Sequence, residues 1–455
     1  MQPYKTIMIK YTRGFIILLF AVIAFGAKAQ STQPTATTSS PYSRYGIGDI
    51  NPMLLPQSTG MGSIATAVNK ISAFNNINVL NPASYAVINY TTIDVGLSSS
   101  ILNLSQTGPN SQLSSNNVNF RLSHIVFAIP VSRKSALSFG LLPFSSLGYN
   151  YKQSVIRNGH GSSSSVDTTI NNIYAGNGGL SKAYLGYGFG IGKHLLVGFN
   201  TAYIFGNLTD FSSTELPTDI LPGALNTRTE QSKSVRGFNY DYGAQYSFDF
   251  GETKHLVLGY SASAGTRLNT QDTYIVSQYT YDSSGNENLA ADSVINRQGS
   301  KSKIQLPQVN HFGVSFQKDG KFLVGADYTT GKWSDLSIGG INSGLQDSKT
   351  FNVGGQFTPD LNALHSVFLR TDYRLGFIYE ETYLNINNTS IKRQAVTFGF
   401  GLPLAPNNSS FYKINFSAEI GKRGTLENGL VKENYINLHL GFTLNDKWFQ
   451  RFKFD

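Results

Sequence analysis

The sequence predicts an all-β fold: a transmembrane antiparallel β-barrel of about 14 strands, its lumen plugged by an N-terminal hatch. Three observations carry this reading. They are a two-residue alternation within the strands, an alternation of long and short connections between them, and an export leader ahead of a chain with no other long apolar run. In 238–250 the even positions are Phe238, Tyr240, Tyr242, Ala244, Tyr246, Phe248 and Phe250, and the odd ones are Asn239, Asp241, Gly243, Gln245, Ser247 and Asp249. Successive side chains of a strand point to opposite faces, so one set meets lipid and the other a lumen. Ile436, Leu438, Leu440, Phe442 and Leu444 alternate with polar or small neighbours in the same way, and 391–402 and 411–422 repeat the pattern. Long connections fall near 103–116, 151–178, 209–231, 269–302, 333–346, 380–390 and 423–433, and short ones near 130–134, 192–194, 251–253, 318–320, 359–363 and 404–410. Transmembrane barrels have long extracellular loops and short periplasmic turns, so a chain starting in the periplasm shows this order. A soluble β-sandwich also alternates strand by strand, but it explains neither the connections nor the leader.

The elements follow in order. Residues 1–29 read as a signal peptide: Lys5, Lys10 and Arg13 precede an apolar run from Phe15 to Phe25, and Ala27-Lys28-Ala29 is an A-x-A cleavage site. The apolar run is too short to span a bilayer. Export followed by a helix-free membrane protein means a closed sheet, because hydrocarbon tolerates only helices and barrels. Residues 30–86 form a Ser/Thr/Gln-rich lead-in followed by a hatch rich in Gly, Pro and Asn, including Tyr42, Arg44, Tyr45, Asp49 and the triplet Asn81-Pro82-Ala83. A lumen of about fourteen strands is too wide for wall side chains to fill, and such a segment is a natural plug. The barrel occupies 87–445, and 446–455 is an aromatic and basic tail for the periplasmic rim, with Trp448, Phe449, Phe452 and Phe454 among Lys447, Arg451 and Lys453.

Composition agrees. A hydrophobic content of 40% with a mean hydropathy of −0.16 is too polar for a helical membrane protein, while 25 Tyr, 30 Phe and 45 Gly suit aromatic girdles and bare strand faces. The chain has no cysteine, which excludes disulfides, thiol chemistry and a lipoprotein anchor. Cleavage after Ala29 removes four basic and no acidic residues, so the formal charge falls from +9 to +5, and no Lys/Arg run marks a nucleic-acid partner. No cofactor and no enzymatic activity are expected. His124, His160, His194, His255, His311, His365 and His439 show no metal-ligand spacing, and no G-x-S-x-G elbow occurs. Gly186, Gly188, Gly190 and Gly192 alternate with bulky residues where a dinucleotide loop would need a following helix. They read as a bare strand face, for bending or for close approach of the hatch.

The order of plug, Gly60-Met61-Gly62, Asn81-Pro82-Ala83 and about fourteen strands resembles the FadL family of outer-membrane long-chain fatty acid transporters. A second likeness runs through Leu306-Pro307-Gln308, His311 to Phe316, Val324 to Tyr328 and Trp333, and Pro41 to Asp49 is similar to the start of an uncharacterised FadL-like branch. The resemblance implies location in the bacterial outer membrane and passive uptake of a hydrophobic compound such as a fatty acid. Capture at the loops, a hatch rearrangement and lateral exit through a gap at a kink of the third strand would follow. Counted along this chain that strand is 135–150, which carries Pro143, Phe144 and Gly148, with Pro143 marking either a local opening or a bulge that sets curvature. Partners are then outer-membrane lipid, the hydrophobic small molecule and the barrel assembly machinery. Some barrels of this kind instead serve protein secretion, as a type IX accessory does, and the long polar connections 209–231 and 269–302 suit a secretion-system partner equally well.

Ligand-binding candidates come from a strand read over 365–379, where Val367, Leu369, Tyr373, Leu375 and Phe377 share one face and Arg370, Asp372 and Arg374 the other. Charge on a lipid face costs about 2–4 kcal/mol, so the charged face looks inward. Two guanidiniums flanking one carboxylate suit an acid headgroup. The alternative is a structural network with Asp327, Asp241 or Glu419.

Overall fold

The computed structural model describes residues 40–69, 74–107, 112–157, 168–216, 225–282, 287–405 and 410–448. The signal peptide over 1–29, the lead-in over 30–39 and Phe449, Arg451, Phe452, Lys453 and Phe454 of the tail lie outside the described residues.

Fourteen antiparallel strands close on themselves. They are β1 (Thr91–Thr107), β2 (Gln112–Ser132), β3 (Ser135–Arg157), β4 (Thr168–Ile191), β5 (Leu195–Glu215), β6 (Asn226–Asp249), β7 (Lys254–Ser263 with Arg267–Tyr281), β8 (Glu287–Gln305 with Val309–Lys318), β9 (Phe322–Gly331), β10 (Ser348–Phe357), β11 (Asp372–Ile386), β12 (Thr389–Pro403), β13 (Phe411–Arg423) and β14 (Val431–Asp446). β14 pairs with β1 from Val431↔Gln106 to Asp446↔Thr91, which completes the ring and removes the open edge that hydrocarbon forbids. Tyr246 and Phe248 are exposed while Gln245 is buried, so the alternation sorts lipid from lumen as expected.

The strands run further outward than the alternation suggested. β5 continues to Glu215 and β6 begins at Asn226, so most of 209–231 is paired sheet, and the same holds for 269–302. The connection expected over 380–390 is a two-residue turn at Asn387 and Asn388, both at positive φ (51° and 59°), the conformation that a tight hairpin requires. The opposite correction applies at the periplasmic end. The strand read over 365–379 begins only at Asp372, because Val367–Arg370 forms a helical turn. Arg370 therefore stands in the rim, off the inward face of the strand that carries Arg374.

The hatch winds around the inside of this wall. A 3-10 turn at Pro41–Arg44 sits near the outer end, a two-residue strand at Asp49–Ile50 runs along β3, and a short helix at Pro56–Thr59 faces β12–β14. A further 3-10 turn, Pro82–Val87, is capped by Asn81, whose side chain accepts from the Ala83 N–H, and packs on β3–β6. The wall meets it with bare glycines. A Cβ at Gly198 would lie 2.3 Å from the Pro82 carbonyl, at Gly259 2.1 Å from that of Thr66 and at Gly354 2.2 Å from that of Met61. Of the four alternating glycines, Gly186 and Gly188 serve this close approach, beneath Tyr85 and Pro82 respectively, while Gly192 turns the chain at φ +66°.

Candidate ligand path

Each lumen charge is set by strand alternation, and most are consumed in holding the wall or the hatch. Asp372 and Arg374, two apart on β11, share the inward face: Arg374 donates to Asp372 at 3.0 Å, to Gln356 at 2.8 Å and to Asn415 at 2.9 Å. Asp372 also accepts from Lys413 of β13 at 2.5 Å and from Thr358 at 2.8 Å. The network forms, but with Lys413 in place of Asp241, Asp327 or Glu419. Asp327 instead accepts the backbone N–H groups of Ala65 and Thr66, both at 2.8 Å, and so clamps the hatch. Lys182 and Asp241 pair with each other at 2.8 Å, and Arg393 joins Glu380 at 2.7 Å and Glu419 at 3.1 Å. Arg374 is buried among its partners, so it serves this wall network and offers no exposed face to a headgroup.

The hatch candidates lie in the lumen. Asp49 accepts from Arg423 of β13 at 3.0 Å, and the same guanidinium holds Glu433 at 2.8 Å. Arg44 meets wall rings in place of a wall charge: its guanidinium lies 4.9 Å from the Tyr174 ring and donates to the Tyr151 hydroxyl. Tyr45 packs partly buried beside the outer apolar cluster. Burial, reinforced by Glu433, pushes the Tyr42 hydroxyl up to about 12, so it stays protonated and donates to the Val431 carbonyl. Asn81 donates to the Thr66 carbonyl at 2.7 Å, which ties the Pro82–Val87 turn to the middle of the hatch.

Among the described residues, the pairing of β2 with β3 breaks off part-way along both strands. β2 and β3 pair only from Ser132↔Ser135 to Ile125↔Leu141. Beyond that, β2 continues to Gln112 paired with β1, and β3 continues to Arg157 paired with β4, with no further pairing between β2 and β3. The parting begins two residues before Pro143, and the β3–β4 register shifts between Pro143 and Ser145, so Phe144 is the bulged residue. Val118 and Phe120 of β2, about 70% exposed, flank the parting on the lipid side, which places it at membrane depth.

The hatch covers the free edge of β3. Asp49 and Ile50 pair antiparallel with Ser146 and Ser145, the Asn51 N–H donates to the Phe144 carbonyl at 3.0 Å, and the Ser43 hydroxyl bridges both backbone groups of Gly148 at 3.0 Å. Sequence reasoning missed the residue that spans the parting. Arg121 of β2 donates to Ser146 of β3 at 2.8 Å, to Asn51 of the hatch at 2.8 Å and to Ser98 of β1 at 3.3 Å. Its signal was present in the alternation, since Phe120 and Leu122 face outward on either side of it.

Cavities lie on both sides of hatch residues 49–54. One, of about 200 Å³, opens at the parting and is lined by Arg121, Asn119, Leu142, Pro143, Asn437 and His439 among others. The other, of about 250 Å³, is more apolar, with Met53, Phe144, Leu306, Trp333, Tyr383 and Leu384. Towards the outside a vestibule of about 920 Å³ lies between Tyr149–Gln153 of β3 and Ser115 and Asn117 of β2, floored by Pro41–Tyr45.

A family model described as BamG matches residues 8–455. The chain belongs to the BamG family. No curated protein matches the sequence. Among solved structures, this BamG-family barrel is similar to the Pseudomonas putida toluene transporter TodX at 14% identity and a TM-score of 0.53, over 90% of this chain and 100% of that one. It is also similar to a Pseudomonas aeruginosa FadL homologue (13% identity, TM-score 0.51, 88% and 100% covered) and to the Ralstonia pickettii toluene transporter TbuX (15%, 0.50, 86% and 98%). At these identities the likeness establishes the fold of this BamG-family protein, a FadL-like antiparallel β-barrel.

Proposed function

We propose that this protein is a passive outer-membrane channel for hydrophobic compounds, with lateral exit into the bilayer between β2 and β3. The observation that supports the reading is the parting itself, a gap between β2 and β3 where the hatch strand Asp49–Ile50, instead of β2, pairs with β3. An apolar solute gains nothing by crossing a wet lumen, and a side exit passes it from protein to lipid without exposure to water. Two cavities on either side of residues 49–54 supply the route, and Pro143 and Phe144 set the bulge that keeps β3 away from β2. Long-chain fatty acids are within this cargo class, as are the monoaromatic compounds named for its structural relatives. The test is uptake of a labelled alkyl chain and of toluene into proteoliposomes containing the mature barrel. Entry above the protein-free rate supports a channel, and equality with empty vesicles overturns it.

A second reading, an accessory barrel for protein secretion, is favoured by the outward continuation of β5–β8 as paired sheet, a firm platform where loose loops were expected. Stoichiometric co-purification of another protein, in place of bound lipid, would select it.

A further inference from the structure

Outward of the hatch strand the parting becomes a slot between two strand edges. There β3 runs from Tyr149 to Arg157 paired with β4, and β2 from Gln112 to Asn119 paired with β1, with no pairing between the two. Had the β2–β3 register continued, Asn117 would face Tyr149 and Ser115 would face Tyr151; instead the vestibule of about 920 Å³ lies between them. Backbone groups of a strand alternate in direction with a period of two, and the N–H and C=O of Gly148 both meet the Ser43 hydroxyl on the side of the parting. The backbone groups of Asn150, Lys152 and Ser154 therefore turn toward the slot as well, and all three residues are exposed. Such an edge is a template for an added strand, and the hatch already uses it in this way at Ser145 and Ser146. The slot also carries charge of one sign. Arg44 and Lys152 line it, and among the described residues no carboxylate does. Asp210 is bonded to the Tyr149 hydroxyl at 2.8 Å, and Asp49 and Glu433 are held by Arg423.

We propose that this slot is a docking site for an extended, acidic peptide segment of a partner protein, which adds as a strand to the outer edge of β3. It lies apart from the two cavities beside residues 49–54, so it stands whether or not the barrel transports. The backbone of the segment pairs with Asn150, Lys152 and Ser154, and its carboxylates meet Lys152 and Arg44. Main-chain pairing supplies the affinity in this mode of recognition, and the side chains supply the choice of partner. The partly buried rings of Tyr45 and Tyr151 receive apolar side chains from one face of the segment. Residues 30–39 of this chain directly precede the hatch but include no acidic residue, so charge favours a partner over the chain's own lead-in.

The experiment is equilibrium binding of three synthetic nonapeptides to the full mature barrel. The first alternates valine with threonine and glutamate, the second has lysine in place of each glutamate, and the third is the first with its central amides N-methylated, which removes their donors. The glutamate peptide should bind about fivefold or more tighter than the lysine peptide, a preference that fades at high salt, and N-methylation should weaken it about tenfold. Asn150→Pro removes an N–H on the slot side of β3 and leaves the pairing with β4 in place, so it should weaken the glutamate peptide about fivefold while the folded-barrel gel shift persists. Lys152→Glu should reverse the preference between glutamate and lysine. Equal binding of the N-methylated peptide would mean that no strand is added, and equal binding of the lysine peptide that charge does not select; either result overturns the proposal. Binding only to a barrel that starts at Ser40 would give the slot to the chain's own lead-in. Self-association of the barrel that Asn150→Pro abolishes, without peptide binding, would give it to a second copy. Both outcomes, and the absence of any binding, overturn the proposal and leave the channel reading untouched.

Discussion

β13 and β14 pair without interruption from Phe411↔Asn445 to Arg423↔Glu433, whereas β2 and β3 stop at Ile125↔Leu141 although both strands continue. The chemistry of the two seams explains the difference. Along β13–β14 every backbone group finds its neighbour, and buried Thr443, Asn415 and Ser417 line the inner face. At β2–β3 the pairing ends at Leu141, just before the bulge at Phe144, and the hatch supplies partners to β3 through Asp49, Ile50 and Asn51. On the β3 side of the parting, the hatch strand thus takes up backbone groups that β2 leaves without a partner.

The comparison can be broken most severely on the sealed side. Tyr242→Arg places a charge on the lipid face of β6, where it should cost about 2–4 kcal/mol and abolish the shift in gel mobility on boiling that marks a folded barrel. The inward Gln245→Asn, which shortens a side chain bonded to the Thr66 carbonyl at 2.9 Å, should still assemble. A next, smaller effect is expected at the hatch strand. Deleting 41–49 removes Ser43 and Asp49 from the β3 edge and should raise conductance in planar bilayers and sensitivity to bulky antibiotics, with the barrel still folded. Unchanged conductance would mean that the hatch strand does not occlude the path.

Locking the hatch strand tests it in the opposite sense. The natural chain has no cysteine, so Ile50→Cys with Ser145→Cys introduces one pair at directly opposed positions. Oxidation should stop uptake of hydrophobic solute, and a reductant should restore it. The smallest effect is predicted for Pro143→Val, which restores a backbone donor at the bulge. Uptake should slow with binding unchanged, and a normal rate would show that the parting, which starts already at Leu141, does not depend on the proline.

The two seams also differ in how far they were legible in the sequence. β6 and β14 announce themselves because lipid imposes strict alternation, as Phe238 to Phe250 display. Past the bilayer that constraint vanishes, since neither face of 209–215 and 226–231 has to be apolar, and polar strand then reads as loop. The turn at Asn387 and Asn388 was hidden for a related reason: its neighbours Asn385 and Ile386 carry no loop signature once positive φ is allowed for. Val367 and Leu369 alternate correctly for a strand yet sit in a helical turn, because three apolar residues at the rim can contact the interface in either conformation. Arg121 lies among Asn116, Asn117, Asn119 and Ser123, and alternation places it inward, but only the absence of a facing strand gives it a role. That absence is a property of the assembled ring.

The bare glycine belt also bears on the order of events during assembly. Pro82 packs on Gly188 and Gly198 with no room for a side chain between them, and Met61 does the same on Gly354. These contacts join a segment preceding β1 to strands as late as β10, so they form only while the sheet curls. The pairing of β14 with β1 closes the cylinder around that segment. The hatch therefore fills the space that the bare glycines of the wall leave open. A precursor shorn of it would have to close over a row of glycines facing water.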